Sequence, residues 1–276
     1  MRQFMNKRQF NTRLIVSGAV LEKFEYERPI LKGMMKKRRT GRANALHTSK
    51  EVKELNRMKT AQRAKRYVQR KINANPQLKK FLTLTYAENE TDLDIARKDF
   101  DKFVKRMKTW HKEFQYIDVL EFQKRGAVHF HLLCNLPYVD VNKVADIWGH
   151  GFVKLNRIDN VDNVGAYVTK YMTKDNMDER LIGRKCYSMS KGLNEPETIT
   201  DDDTIDDVMF GLENVKRVYT AEYETEYYGV VKYTQVICSE PIYTPPRRRF
   251  NRFYLRDILI PMPDDTPTPF DPIPTT

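Results

Sequence analysis

His129 and His131 stand two residues apart in the run Val128-His129-Phe130-His131. On a β-strand that spacing sends both imidazoles to one face, while Val128 and Phe130 point the other way, into a core. Two imidazoles on one face are half of a metal site. The segment ahead supplies a third group. Residues 116–123 and 127–136 read as strands, and Lys124-Arg125-Gly126 between them suits a three-residue hairpin loop with glycine in the left-handed position. In that register residue 123 pairs with 127. Glu121 then falls opposite His129 on the histidine face, which Val119 and Gln123 share. The spacing therefore predicts a facial site of Glu121, His129 and His131, with Gln123 beside it to support a ligand or touch DNA. A partly exposed polar strand would show the same two histidines; the opposed glutamate is what favours a metal.

A second cluster lies in Tyr167-Val168-Thr169-Lys170-Tyr171-Met172-Thr173-Lys174. On a helix Tyr167 and Tyr171 stand at i and i+4, on one face. Lys170 and Lys174 repeat that spacing beside them. Two phenols flanked by ammonium groups suit attack on a phosphate, since lysine neutralises phosphate charge and favours the phenolate. An ordinary amphipathic helix, with packed tyrosines and solvated lysines, would look the same.

These groups need a scaffold. Phe81 to Tyr86 reads as a strand with Thr83 and Thr85 on one face and Leu82, Leu84 and Tyr86 on the other. Residues 91–114 form an amphipathic helix whose stripe is Leu93, Ala96, Phe100, Phe103, Met107, Trp110 and Phe114. Residues 140–149 read as a helix, 152–158 as a strand, and Asn163 as the cap of a helix over 164–174. Thr48-x-x-Glu51 matches a capping box ahead of a basic helix over 49–73, which Asn75-Pro76 ends. Residues 1–47 show little periodicity and read as an extended arm carrying Lys36-Lys37-Arg38-Arg39. Asp201, Asp202, Asp203, Asp206 and Asp207 mark an acidic loop, 217–238 a β-hairpin, and the prolines between Pro261 and Pro274 a disordered tail. The interleaving predicts an α+β fold: an antiparallel β-sheet with helices packed on one face, and a basic helical N-terminal extension. The expected domains are 1–77 as arm and helix, 78–240 as the catalytic body, and 241–276 as tail.

The chain has 276 residues and a net charge of +12. Residues 1–80 hold 23 Lys and Arg against 5 Asp and Glu, so the positive excess sits there and the remainder is mildly acidic. A basic extension on such a body points to a polyanion partner. The three cysteines are far apart and form no CxxC pair, which argues against disulfides and thiolate zinc and fits a reducing compartment. No apolar run is long enough to span a bilayer and no signal-peptide pattern opens the chain, so a cytoplasmic location with no membrane partner is expected. No GxxxxGK[ST] motif is present, which argues against a fused ATPase helicase.

The order Phe81-Leu82-Thr83-Leu84-Thr85, then Glu121 with Val128-His129-Phe130-His131, then Tyr167-x-x-Lys170-Tyr171 resembles the HUH endonucleases. It is most similar to rolling-circle replication initiators of Gram-positive plasmids and single-stranded DNA phages, over about residues 78–195. Arg184-Lys185-Cys186-Tyr187-Ser188 and Gly192-Leu193-Asn194 resemble the segment that follows the tyrosine helix there. The resemblance implies an HUH or RRM-like sheet and a metal, Mg²⁺ or Mn²⁺, on His129 and His131 with Glu121 as third ligand. It implies Thr83 and Thr85 beside the site, positioning DNA, and Tyr167 and Tyr171 as nucleophiles that leave a 5′-phosphotyrosine and a free 3′-OH. Lys170 would touch phosphate or stabilise a phenolate, with Lys174 alongside. The implied partners are single-stranded or hairpin origin DNA and a host helicase and polymerase in a bacterial cell. Conjugative relaxases and transposases share this chemistry, and a non-catalytic single-stranded nucleic-acid-binding protein could share the basic arm and aromatics.

Overall fold

The structure is a computed structural model that describes residues 9–31, 49–158, 161–172 and 178–242. The elements in chain order are β1 (Gln9–Ser17), β2 (Val20–Leu31), α1 (Lys50–Asn73), β3 (Lys80–Thr85), α2 (Leu93–Trp110), β4 (Tyr116–Phe122), β5 (Val128–Cys134), α3 (Val141–Trp148), β6 (Val153–Arg157), α4 (Val164–Val168), β7 (Tyr187–Met189), β8 (Glu197–Ile199), α5 (Asp202–Phe210), β9 (Val215–Thr225) and β10 (Gly229–Cys238). The fold is α+β, with two antiparallel five-stranded sheets among the described residues. The chain divides into two compact units, Thr60–Glu195 and a second of Met1–Lys59 with Pro196–Thr276. The span 78–240 therefore runs through both.

In the unit of Thr60–Glu195 the strand order is β6-β3-β5-β4-β7. The central β5 is buried on both faces. On one face α2 lays Phe100 against Phe130, with ring centroids 4.5 Å apart, and Trp148 of α3 closes the same cluster against Phe103 and Phe130. Asp92 caps α2 by accepting from the amides of Asp94 and Ile95, and Gly149 ends α3 in the left-handed conformation. Both helices lie close to where their stripes and caps predict. The β4–β5 turn is the expected one: Gln123 N donates to Ala127 O at 2.8 Å, and Gly126 has φ +88°.

The other unit holds the order β8-β1-β2-β10-β9. Residues 9–31, read above as part of an extended arm, are instead a β-hairpin. Gly18 turns it with φ +60°, pairing Ser17 with Val20 and Val16 with Leu21. Arg13 through Ser17 are buried without interruption, so both faces are covered and the alternation that marks a half-exposed strand is absent. The hairpin over 217–238 is present as β9 and β10, and β10 pairs with β2, Tyr233 opposite Phe24.

The acidic loop is also corrected. Residues 202–210 are helix α5, whose cap Asp201 accepts from the Thr204 amide at 3.0 Å. Carboxylates in the first turn oppose the helix dipole favourably, so this cluster starts a helix rather than interrupting one. Ser49, next to the expected Thr48, caps α1 by accepting from Val52 N at 3.3 Å; Thr48 lies outside the described residues, as does the proline-rich tail. No helix among the described residues is long and apolar enough to cross a membrane.

Candidate metal and nucleophile site

The three predicted ligands meet. Glu121 pairs with His129 across the β4–β5 ladder, and Thr85 flanks His129 on the other side from β3. One ligand atom from each of Glu121, His129 and His131 lies within 4.8 Å of the others, so the group can hold a metal ion. His129 and His131 are buried, 7% and 5% exposed, while Glu121 is half-buried. His131 Nε2 sits 2.5 Å from Glu121 Oε2, and its Nδ1 lies 3.2 Å from the Thr83 hydroxyl. Thr83 thereby fixes the ring plane of His131 from behind, as outer groups do for ligating histidines.

His129 carries the sharper indication. Its Nε2 is buried and makes no hydrogen bond among the described residues. Buried ring nitrogens are normally paired, so an orphan aimed into a Glu-His cluster fits a metal-ligand position. Burial, with His131 next to it, pushes the His129 imidazole down to about 4, so it is held neutral, the form that ligates. Two nitrogens and one carboxylate oxygen form a facial set that leaves positions for substrate oxygens.

The tyrosines lie over the same strands. Tyr171 stacks on His131, with ring centroids 4.0 Å apart and planes 20° from parallel. Phe81, on the same sheet face as Thr83, stacks on both Tyr171 (5.7 Å) and His131 (5.7 Å) and meets Tyr167 edge-on at 5.8 Å. The expected helix over 164–174 is corrected: α4 ends at Val168 and the chain tightens to a 3₁₀ turn over Thr169–Met172. Tyr167 and Tyr171 consequently meet at 82° with centroids 6.5 Å apart. Four residues advance about 40° around an α-helix but about 120° around a 3₁₀ helix, so the tightening turns Tyr171 away from the row of Tyr167. Burial, with Tyr167 and Glu121 adding to it, raises the Tyr171 phenol above its ordinary value.

Docking of this turn rests on α1. Gly165 has no room for a side chain, because a Cβ would strike the Gln69 carbonyl. Asn73 Oδ1 accepts from Gly165 N at 2.8 Å, and Asn73 Nδ2 donates to Asn163 Oδ1, which in turn caps α4 at the Ala166 amide. Thr169 Oγ1 donates back to Gly165 O at 2.8 Å.

Of the remaining candidates, exposed Lys170 sets its ammonium 5.3 Å from the centre of the Tyr167 ring. Gln123 Oε1 accepts from Arg125 Nε at 2.9 Å, at the mouth of the hairpin. The Thr85 carbonyl receives the Trp148 indole N–H at 3.1 Å. Lys174, Lys36, Lys37, Arg38 and Arg39 lie outside the described residues.

Several groups were not singled out from sequence. Phe81 could have been, by its strand parity with Thr83. A glycine at 165, inside a helical pattern, was the signal for close helix contact. Exposed Lys154 sits opposite Thr83 on β6, adding a cation to the histidine face. Arg180 packs on the Phe122 ring at 3.6 Å and donates to Gly126 O at 2.9 Å, bracing the hairpin, and no local pattern marks it.

Residues 79–176 match the model of a family of replication-associated proteins, the ORF2 type. The matched span holds Thr83, Glu121, His129, His131, Tyr167 and Tyr171 together. No curated protein and no solved structure matches the chain.

Proposed function

We propose that this chain starts rolling-circle DNA replication as a metal-dependent tyrosine endonuclease that nicks and rejoins single-stranded origin DNA. The observation that carries the reading is the seating of Tyr171 on His131, within a group of two histidines and a glutamate able to hold a metal. A structural tyrosine needs no such neighbour, and a metal site alone needs no phenol. The family match over the same residues favours an initiator of replication over a relaxase or transposase.

Glu121, His129 and His131 would hold Mg²⁺ or Mn²⁺. When bound, the metal polarises the non-bridging oxygens of the scissile phosphate. The tyrosine hydroxyl oxygen attacks phosphorus in line. A Tyr–O–P bond forms, the P–O3′ bond breaks, the phenolic proton passes to solvent, and the departing 3′ oxygen takes one up. The product is a 5′-phosphotyrosine and a free 3′-OH that can prime synthesis. Because one phosphodiester replaces another, attack by a 3′-OH on the adduct restores the DNA. Lys170 neutralises charge at the attacking phenol, and Thr83 holds His131 in its ligating orientation. The basic face of α1, with Lys53, Arg57 and Lys59, adds salt-dependent affinity that ignores sequence. Origin DNA, a host helicase and a host polymerase are the partners this activity requires.

The test is covalent capture. Labelled oligonucleotides covering both strands of the protein's own replicon are incubated with it and Mn²⁺, then resolved under denaturing conditions. A shifted protein–DNA adduct that EDTA prevents is expected. Absence of an adduct on every strand overturns the reading, and a metal-independent shift removable by denaturant would make the protein a binder only.

A further inference from the structure

β9 ends the order β8-β1-β2-β10-β9, and among the described residues no strand pairs with its outer side. It is eleven residues long, whereas the other edge strands, β8, β6 and β7, have three, five and three. An open edge of that length is a template for another strand. Val215 to Thr220 are all exposed, with Val218 at 56%. Valine, tyrosine and threonine there are strand-forming residues.

Charge on an edge strand ordinarily keeps other strands away. In β9 the charges are sorted by sign: Lys216 and Arg217 open the strand, and Glu222 and Glu224 close it. A copy laid parallel sets like on like. A copy laid antiparallel sets the basic end on the acidic end, twice by symmetry. With the two-fold axis at Thr220, Lys216 opposes Glu224, and Arg217 opposes Tyr223, whose ring can receive a guanidinium. Within its own sheet Glu224 is opposite Val230, so β10 supplies no cation across from it.

We propose that β9 pairs antiparallel with β9 of a second copy of this chain, joining the two five-stranded sheets edge to edge. The pairing rests on backbone hydrogen bonds for its register and on sorted charge for its choice of partner. It does not depend on the nuclease reading.

The test is sedimentation equilibrium of the full, DNA-free chain. Wild type is expected at the mass of two chains in 50 mM salt, shifting toward one chain in 0.5 M salt as charge is screened. Lys216→Glu with Arg217→Glu should sediment as one chain, and so should Glu222→Lys with Glu224→Lys. An equimolar mixture of the two variants should recover the two-chain mass. Circular dichroism checks that each variant is folded; if either double variant is not, Lys216→Glu and Glu224→Lys carry the same exchange singly. A single-chain wild type at 100 μM overturns the proposal. So does a reversal variant that stays paired, or a mixture that stays single.

Discussion

Tyr171 lies flat on the imidazole of His131, 4.0 Å from centroid to centroid, while Tyr167 meets Tyr171 edge-on. The two tyrosines of the motif therefore have different surroundings. One is seated on a candidate ligand with Glu121 in electrostatic reach, and the other stands beside it under Lys170. Tyr171 is accordingly expected to make the first cut. Tyr171→Phe should abolish the first adduct, more than 100-fold in rate, and Tyr167→Phe should reduce it less than tenfold. Single-turnover adduct formation measures both, and the reverse ranking would assign the first cut to Tyr167.

Thr83 bears on the metal through His131. Thr83→Val keeps the shape and removes the hydroxyl 3.2 Å from Nδ1. Loss of such an outer partner typically weakens metal binding about 10- to 100-fold. Calorimetric titration with Mn²⁺ should show a loss in that range. Unchanged affinity, with weakened DNA binding instead, would make Thr83 a DNA contact.

Gly165 separates the nucleophile from the metal. Gly165→Ala forces α4 off the Gln69 carbonyl and shifts the turn that carries Tyr167 and Tyr171. Adduct formation should fall more than tenfold while Mn²⁺ affinity stays within twofold, because no ligand lies on α4. An equal loss of both would show that the two parts are one cooperative structure.

The histidine site also sets a pH dependence in the metal-free protein. Burial holds His129 at about 4, below the ordinary value of about 6.5. Below pH 6.5 the unfolded chain takes up a proton that the folded one refuses. The contribution is thus full above pH 6.5 and is lost as pH falls toward 4. Melting in EDTA from pH 7.5 to 4.5, compared with His129→Gln, isolates it from the other carboxyl and histidine titrations. The difference between the two proteins should shrink steadily over that window; a constant difference would show that His129 does not titrate this way.

Much of the candidate site was legible because its geometry is local. Strand parity puts His129 and His131 together, and a three-residue loop closed by Gly126 is enough to bring Glu121 opposite His129. The Asn163 cap and the stripe of α2 are local in the same sense. Other features depend on contacts that no window of sequence contains. β2 pairs with β10, about two hundred residues on, so Phe24 and Tyr233 carry no mark of each other. β1 is buried on both faces and lacks alternation, and its basic surroundings made an arm the natural reading. The tightening at Thr169 follows from docking on α1 rather than from any residue of the turn. Asp201 to Asp207 were ambiguous for a different reason: the same carboxylates suit a solvated loop and the first turn of a helix.

The β4–β5 turn acts as a ruler. Lys124 and Arg125 can change identity without moving the strands, but the number of residues between Gln123 and Ala127 cannot change. One residue more or fewer would slide β4 against β5 by a step and send Glu121 to the opposite side of the sheet, among Phe100 and Phe130. Drift in this lineage should therefore rewrite the letters of the loop while its length stands still, so that an insertion there would silence the histidines without touching them.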